Sequence, residues 1–471
     1  MPLHPAPSML GSPTIFRKAN PQLMIHLEVL PGIENATLID RDHHQVSRSK
    51  ISPNALKVLY KLSAAGFYAY LVGGGVRDLL LGLQPKDFDI ASNARPEQLR
   101  KLFRNARIIG RRFKIVHIRY GREIIEVTTF RAPHDAHNQI ADDVSRRKIR
   151  GLDSAHSSAG MILRDNVYGN IDEDALRRDF TVNALYYTLD KFRVLDFTGG
   201  MDDLKRKKIR TIGDPAERYR EDPVRMLRAI RFAAKLGFTI EQGTKAPIDE
   251  LAHLLESISP ARLFDETLKI ISSGHVVKIF ALLREFKVGK YLFGPTITAL
   301  GTAGDTERKL VDLALHNTDS RLAEGKSITP YFLFAALLWP GLRQRLAADS
   351  AEQNSYASFQ QAANASLREQ LDYTAIPKRF TIAAKEIWEL QLRIEKHNRL
   401  SVVSTFEHPR FRAAYDFLLL REAAGEQLNS LGQWWTDFQI GDTKRRTEMI
   451  GLLSTPGARR RSKRKSSSNT E

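Results

Sequence analysis

Residues 68–91 read YAYLVGGGVRDLLLGLQPKDFDIA and combine two strands, a glycine turn and a short helix. Residues 68–72 are apolar and bounded by glycine, which is typical of an inner strand. Residues 76–81 form an apolar run closed by Gly82, and this run predicts a short helix. The turn between them consists of Gly73, Gly74 and Gly75. Glycines at a helix N-terminus leave backbone N–H groups open to an anion, so the sequence predicts a phosphate-binding turn.

The second strand of this stretch carries two acids, Asp87 and Asp89, which alternate with apolar residues. Side chains two apart on a strand share a face, so we expect the two carboxylates side by side near the glycine turn. Paired carboxylates beside a phosphate-binding turn suit a pair of Mg²⁺ ions that hold a nucleoside triphosphate.

A third acid, Glu126, lies in a later strand. Residues 115–120 and 123–130 predict two strands joined by a two-residue turn that contains glycine. Glu126 lies among apolar and β-branched residues, where burial of an unpaired carboxylate is costly. Two explanations stay open. Glu126 faces solvent or lies at a sheet edge, or it adds a third carboxylate to the two upstream acids and completes a two-metal site.

The segment DALRRDFTVNALYY, residues 174–187, predicts one helix with a charged face. The side chains expected to face inward are Leu176, Phe180, Ala184 and Leu185. The side chains expected to face either solvent or a cleft are Arg177, Arg178, Asp179 and Asn183.

The segment REDPVRMLRAIRFAAKLGF, residues 220–238, predicts a second helix with Asp222 as its N-cap and Pro223 at its first position. Asp222 and Arg225 are three residues apart, so they lie next to each other on the helix surface. They are either a plain cap and a solvated cation, or an acceptor and a donor for one base edge. Both roles are compatible with the sequence.

The charge of the chain indicates a polyanionic partner. The 471 residues carry a net charge of +18, of which the last 16 residues contribute +5, so the rest of the chain carries +13. Positive charge spread over a folded body favours nucleic acid, because phosphate contacts supply most sequence-independent affinity. The alternatives are a merely soluble basic protein and one attracted to anionic lipid.

The composition also excludes several classes of protein. A hydrophobic content of 42% over this length is typical of a soluble chain with about three globular domains. The absence of cysteine excludes disulfides, thiolate chemistry and cysteine zinc sites. No apolar run is long enough for a transmembrane segment, and the first residues lack the apolar region of a signal peptide. We therefore expect a cytoplasmic protein.

Sequence patterns predict five parts in the chain. Residues 1–50 contain several prolines without periodicity and predict a flexible leader. Residues 51–205 mix strands and helices, which predicts an α+β domain with a small mixed sheet. Residues 206–275 and 276–455 show repeated helical patterns and predict all-α domains. Residues 456–471 hold no apolar cluster to bury and predict a disordered basic tail.

Four motifs occur in an order that points to a known family. They are LVGGGVRD, KDFDIA, RRDFTVNAL and EDPVRMLR, all within residues 51–237. Together they resemble the class II branch of the nucleotidyltransferase superfamily, which extends RNA 3′ ends and comprises bacterial poly(A) polymerases and CCA-adding enzymes. The resemblance implies a nucleotidyltransferase catalytic domain at residues 51–205, a helical neck that recognises the base at residues 206–275, and a helical RNA-binding body at residues 276–455.

The same resemblance implies roles for individual residues. The metal ligands and catalytic carboxylates would be Asp87, Asp89 and Glu126, binding two Mg²⁺ ions. The nucleotide-binding residues would be Gly73, Gly74, Arg77, Asp78, Arg178, Asp179, Asn183, Asp222 and Arg225. Within this set Arg77 and Asp78 would support the glycine turn, and Asp222 with Arg225 would select the incoming base. ATP would be the substrate, RNA 3′ ends the acceptor, and RNA-decay or RNA-chaperone proteins candidate partners of the basic tail.

The stretch IIGRRFKIVHI, residues 108–118, favours one branch of this family. It resembles the signature of bacterial poly(A) polymerases, as do the long leader and the basic C-terminal arm. The expected activity is therefore template-independent addition of AMP from ATP to RNA 3′ ends, with release of pyrophosphate. The closest alternative is a CCA-adding tRNA nucleotidyltransferase. A further alternative is a catalytically silent RNA-binding protein on the same fold.

Overall fold

The computed structural model describes residues 30–110, 114–132, 154–156, 162–165, 167–348 and 356–453. The chain divides into two compact units, residues 1–214 and residues 215–471. The first unit is built on a sheet and the second is mostly helical, so the predicted α+β domain followed by helical domains is confirmed.

The first unit is organised around a mixed eight-stranded sheet in the order β1-β10-β9-β2-β3-β6-β5-β4. Its strands are β1 (Thr37–Ile39), β2 (Ala69–Val72), β3 (Asp89–Ser92), β4 (Ala106–Ile109), β5 (Ile115–Tyr120), β6 (Glu123–Thr129), β9 (Leu185–Tyr187) and β10 (Val194–Asp196). A separate hairpin pairs β7 (Ser154–His156) with β8 (Ile162–Asp165). Only the pair β3–β6 is parallel among the described pairs of the large sheet.

The helices of this unit are short. They are α1 (Pro53–Ala64), α2 (Gly74–Leu80), α3 (Pro96–Leu102), α4 (Ile171–Leu176) and α5 (Gly200–Lys205). The start of α1 agrees with the prediction, because the Ser52 side chain accepts hydrogen bonds from the backbone N–H groups of Asn54 and Ala55. A final short strand, β11 (Lys208–Ile209), precedes the end of the unit.

The stretch at residues 68–91 forms the centre of the sheet. Strand β2 lies between β9 and β3, and Tyr70, Leu71 and Val72 are almost fully buried. The chain then turns at Gly73 into α2 and returns antiparallel to β2 as β3. The hairpin β5–β6 also forms as predicted, with Gly121 in its turn at a φ of +62°.

Part of the predicted leader is folded. Strand β1 pairs antiparallel with β10 at one edge of the sheet, and Leu30 packs in a core cluster with Tyr70 and Tyr186. Val46 is fully buried as well. The proline-rich composition suggested an extended segment, but a short edge strand needs little periodicity because its partner supplies the hydrogen bonds.

The single helix predicted over residues 174–187 is wrong. Helix α4 ends at Leu176, a 3₁₀ turn follows at Thr181–Asn183, and β9 begins at Leu185. Leu176, expected to face inward, is half exposed. The paired aromatic residues at the end of the segment favour a strand, and β9 fills a central place between β2 and β10.

The second unit is a succession of helices. They are α6 (Pro215–Glu221), α7 (Val224–Leu236), α8 (Gln242–Lys245), α9 (Ile248–Leu251), α10 (Pro260–Ile271), α11 (Val276–Glu285), α12 (Lys290–Thr302), α13 (Asp305–Ala323), α14 (Pro330–Ala348), α15 (Tyr356–Tyr373), α16 (Lys378–Lys396), α17 (Val402–Phe406), α18 (Phe411–Ala424), α19 (Leu431–Ile440) and α20 (Thr443–Gly451). One short strand, β12 (Thr239–Ile240), follows α7. None of the described helices is both long and apolar enough to cross a membrane.

The core of the second unit contains buried polar contacts as well as apolar packing. Trp388 on α16 is fully buried, and its Nε1 donates to the carbonyl of Ala335 on α14 at 3.0 Å. Arg421 on α18 is also buried, and it pairs with Glu395 and Glu426 at 2.6 Å each. A buried cation is tolerated here because two carboxylates compensate its charge.

Several predicted features lie outside the described residues. These are the first 29 residues of the leader, Arg111 to Phe113 within the branch signature, and the basic tail at residues 456–471.

The close approach of Gly200 to Thr181 in the first unit can be tested by substitution. A Cβ at Gly200, the first residue of α5, would overlap the backbone carbonyl of Thr181, and a backbone atom cannot move aside cheaply. We expect Gly200→Ala to lower the free energy of unfolding by about 2 kcal/mol or more. Urea unfolding followed by circular dichroism measures this.

The adjacent Gly199 is the matched control. It has a φ of +76° but nothing within 4 Å of an added Cβ, so Gly199→Ala costs only the strain of a left-handed residue, about 1 kcal/mol. Equal losses in the two variants would contradict the close approach of α5 to Thr181.

Candidate active site

Two of the three glycines in the turn have distinct structural roles. Gly73 has a φ of +75° and a ψ of −141°, a conformation that glycine adopts far more easily than other residues. A Cβ there would lie 3.6 Å from Oδ2 of Asp89 and 3.8 Å from Nη1 of Arg178, so the turn borders both side chains. Gly75 is needed for packing, since its Cβ would lie 3.2 Å from the carbonyl oxygen of Asp87.

Asp89 and Glu126 are held next to each other by strand pairing. Asp89 begins β3 and is paired in parallel register with Glu126 on β6. Residues paired in register on neighbouring strands project from the same face of a sheet. Asp87 lies two residues before Asp89, and the intervening Phe88 is buried while Asp87 is exposed. The alternation in burial is present, but the prediction that Asp87 lies on the strand is wrong, since β3 begins at Asp89. Glu126 belongs to an inner strand rather than to an edge.

The electrostatics of Asp89 reflect this neighbourhood. Burial, together with the negative charges of Glu126 and Asp87, raises the pKa of Asp89 to about 6, against the opposing effect of Arg178. Negative charge is thus concentrated beside the glycine turn. Such a site favours a cation, since a cation would offset the repulsion among the carboxylates.

The carboxylate of Glu126 has a partner on its other side. Nε2 of His117 on β5 lies 3.0 Å from Oε1 of Glu126, and the two residues are paired in the antiparallel register of β5 and β6. Among the described residues no group of three or more His, Cys, Asp or Glu side chains is placed to hold a metal ion. The three acids share one region but do not converge on one point.

Arg77 ties the turn to a second segment. Its guanidinium is buried, donates from Nε and Nη2 to Oδ1 of Asp78 at 2.9 and 2.7 Å, and donates from Nη1 to Oδ1 of Asn183 at 2.6 Å. Asn183 lies in the 3₁₀ turn that replaces the predicted helix. The structure therefore brings Arg77, Asp78 and Asn183 together.

Arg178 is held by two buried groups. Its Nη2 donates to Oδ2 of Asp174 at 3.0 Å, and its Nε donates to the hydroxyl of Tyr186 at 2.9 Å. The Tyr186 hydroxyl in turn donates to Oδ2 of Asp174 at 2.7 Å. Burial works against the charge of Arg178, but Tyr186 and Asp174 together raise its pKa above the ordinary value. Arg178 is thus a fixed cation at the edge of the glycine turn.

The remaining residue of this motif, Asp179, is half-buried and follows Arg178 in the segment between α4 and the 3₁₀ turn. Its backbone carbonyl accepts a hydrogen bond from the N–H of Ile212.

In the second unit, Asp222 and Arg225 are both buried at the junction of α6 and α7. Oδ2 of Asp222 accepts a hydrogen bond from Arg262 at 2.6 Å, and its Oδ1 accepts from the N–H of Val224 at 3.3 Å. Nη1 of Arg225 donates to Glu221 at 2.9 Å and to the carbonyl of Arg218 at 2.6 Å. Helix α7 begins at Val224 with Pro223 as its N-cap, so the prediction of Asp222 as the N-cap residue is wrong by one position. Both side chains are nevertheless fixed by neighbours.

The sequence alone did not indicate the residues that hold these side chains. His117, Asp174, Tyr186, Glu221 and Arg262 all contact a predicted site residue. Asp174 and Glu221 carried a local signal, since each lies four residues before the arginine that it pairs with. His117, Tyr186 and Arg262 contact the site only through tertiary structure.

Three family profiles match the chain. The family described as "Poly A polymerase head domain" matches residues 69–210. The family described as "Probable RNA and SrmB- binding site of polymerase A" matches residues 237–300, and the one described as "Polymerase A arginine-rich C-terminus" matches residues 351–468.

Curated relatives agree with these profiles. Poly(A) polymerase I of Escherichia coli O6:H1 is 48% identical over 436 residues, which cover 91% of each chain. A CCA-adding enzyme of Lactobacillus helveticus is 36% identical over 236 residues, which cover 50% of this chain and 54% of that enzyme.

Solved structures reproduce the fold. The Bacillus stearothermophilus CCA-adding enzyme in complex with CTP matches with a TM-score of 0.52 and 24% identity, over 86% of this chain and 90% of that chain. The sequence match to poly(A) polymerase I extends over almost the whole chain, whereas the match to the CCA-adding enzyme of L. helveticus extends over half of it. The chain therefore belongs to the bacterial poly(A) polymerase I family and is a polynucleotide adenylyltransferase.

Proposed function

We propose that this chain adds AMP residues from ATP to RNA 3′ ends through a carboxylate site built on β3 and β6. The observation that carries the proposal is the register of Asp89 and Glu126 on neighbouring strands beside the Gly73 turn. That register places two acids on one face, next to a turn suited to phosphate and next to the fixed cation of Arg178.

The donor set fits Mg²⁺, which prefers carboxylate oxygens and retains several waters. In the proposed site Asp87, Asp89 and Glu126 would hold two Mg²⁺ ions. When bound, these ions lower the pKa of the RNA 3′ hydroxyl and neutralise the charge that develops on the α-phosphate and the leaving pyrophosphate.

The other residues of the first unit bind and orient the triphosphate in this proposal. Backbone N–H groups at Gly73 and Gly74 face the phosphates, and Arg178 supplies a cation that Asp174 and Tyr186 keep in place. Arg77 and Asp78 hold the turn against Asn183, so that Asn183 and Asp179 contact the sugar and phosphates from a rigid support. Preorganised donors stabilise developing charge without reorganisation at the moment of reaction.

In the second unit, we assign base recognition to Asp222 and Arg225 within residues 206–275. Their hydrogen bonds to Arg262 and Glu221 fix the orientation in which they meet an adenine edge. We assign RNA binding to residues 276–455, because the family described as a probable RNA-binding site of polymerase A matches residues 237–300 and so overlaps the start of this range. The tail at residues 456–471 is proposed to contact RNA or RNA-decay proteins in the cytoplasm, where RNA and ATP are available.

Nucleotide choice tests the proposed reaction. With a generic RNA primer and one nucleotide at a time, we expect long adenosine tracts from ATP and negligible extension from CTP. Denaturing gel electrophoresis of a labelled primer measures the product. Efficient use of CTP that stops after a short addition to truncated tRNA would instead identify a CCA-adding activity.

Removal of one acid tests the carboxylate site. We expect Asp87→Asn and Asp89→Asn each to lower kcat for AMP incorporation by roughly a thousandfold or more, because such sites supply several kcal/mol of transition-state stabilisation. Asp202→Asn, at an exposed acid of the same unit, is the control and should retain wild-type kcat. An Asp89→Asn variant with near wild-type turnover would overturn the assignment.

The raised pKa of Asp89 makes a separate prediction about stability without metal. Its folded-state pKa of about 6 exceeds the ordinary value of 3.8, so the folded protein binds the proton more tightly than the unfolded chain. The free energy of unfolding therefore falls as pH rises from about 4 through about 6, and the penalty is complete at neutral pH.

Asp89→Asn should remove this penalty. In EDTA at pH 7.5 we expect the variant to be more stable than wild type by on the order of 1 to 3 kcal/mol, and the difference should vanish near pH 4. Urea unfolding across this pH range measures both values. A variant that is less stable than wild type at pH 7.5 would contradict the electrostatic account of the site.

A further inference from the structure

Glu126 is paired with a polar residue on each of its two neighbouring strands. Asp89, in contrast, is paired with Glu126 on one side and with the apolar Val72 on the other. Strand β6 has β3 on one side and β5 on the other. Asp89 is paired with Glu126 across the first boundary and His117 across the second. The three side chains therefore form a row across three strands.

The direction of the hydrogen bond between His117 and Glu126 follows from chemistry. An ionised carboxylate only accepts hydrogen bonds, so Nε2 of His117 carries the hydrogen and donates to Oε1 of Glu126 at 3.0 Å. The bond occupies one carboxylate oxygen on the β5 side. The second carboxylate oxygen of Glu126, Oε2, can still accept from or coordinate another group. On the β3 side, the residue paired with Glu126 is Asp89.

Glu126 needs such a partner because it is otherwise loosely held. Its side chain is 45% exposed, while that of His117 is 25% exposed. An exposed glutamate samples many rotamers, and ordering it for a ligand costs conformational entropy. A shorter, stiffer imidazole on the adjacent strand restricts the carboxylate before any ligand arrives.

We propose that His117 is a positioning residue, which orients the Glu126 carboxylate so that its second oxygen is available to a divalent cation shared with Asp89. The inference rests on the proposed function, in which Glu126 is a metal ligand. It gives the branch signature at residues 108–118 a physical role, because one residue of that signature sets the geometry of an acid on the next strand.

The test uses side chains that keep or lose the donor at this position. The amide nitrogen of Gln reaches about as far as Nε2 of His, whereas that of Asn is shorter. We therefore compare His117→Gln and His117→Asn in the full-length protein. Arg119→Ala is the matched control, since Arg119 lies two residues further on the same strand and its Nε donates to the carbonyl of Gly121.

Two readouts are needed. Mn²⁺ binding without nucleotide is measured by electron paramagnetic resonance, and the Mg²⁺ concentration for half-maximal AMP incorporation is measured alongside the KM for RNA. Thermal melting monitored by circular dichroism reports whether each variant is folded.

We expect His117→Asn to weaken Mn²⁺ binding roughly 10- to 100-fold and to raise the Mg²⁺ requirement in parallel, with the KM for RNA unchanged. His117→Gln should restore most of the affinity, and Arg119→Ala should leave it unchanged. Unchanged or tighter Mn²⁺ binding in a folded His117→Asn variant overturns the proposal, because His117 would then be only a structural partner of Glu126 or a competitor of the cation for its carboxylate. Equal losses in the Gln and Asn variants overturn the donor role as well.

Glu126→Gln separates this inference from the proposed function. If Mn²⁺ affinity falls in Glu126→Gln but not in His117→Asn, only the positioning role fails. If Glu126→Gln leaves Mn²⁺ affinity unchanged, the assignment of Glu126 as a metal ligand fails, and the positioning role fails with it.

Discussion

The parallel pairing of β3 with β6 is the constraint on which the site depends. It places Asp89 opposite Glu126, and the reversal of the chain at Gly73 brings a glycine turn and Arg178 to the same place. The surrounding elements maintain this arrangement. Strand β2 fixes one side of β3, the hairpin partner β5 fixes the other side of β6, and Gly75 allows the segment at Asp87 to pack against α2.

The arrangement is unfavourable for the protein on its own. A partly buried carboxyl beside two other acids has a raised pKa, which means that its ionised form destabilises the folded state at neutral pH. The fixed cation of Arg178 limits this cost, because it lowers the pKa of Asp89. Lower folding stability caused by clustered carboxylates is typical of a functional site that needs concentrated charge.

The sequence predicts the central elements because their signals are local. Alternation around Asp89, three consecutive glycines and a hairpin with a glycine turn each specify structure within a few residues. The prediction of one helix over residues 174–187 is wrong, because the apolar spacing of this segment fits a helix, whereas pairing with β2 and β10 makes its end the strand β9. Edge strand β1 and the partners His117, Tyr186 and Arg262 depend on residues distant in the chain. No local periodicity indicates them, and only the folded arrangement brings them to the predicted residues.

The central claim is that the acids of β3 and β6 jointly hold the cations for adenylyl transfer. A crystal structure with Mn²⁺ and a non-hydrolysable ATP analogue tests it most directly, since anomalous scattering locates each Mn²⁺ independently of the protein. The account predicts Mn²⁺ bound by Asp87, Asp89 and Glu126, with the triphosphate against the Gly73 turn. Mn²⁺ bound elsewhere, or a triphosphate distant from that turn, would contradict it.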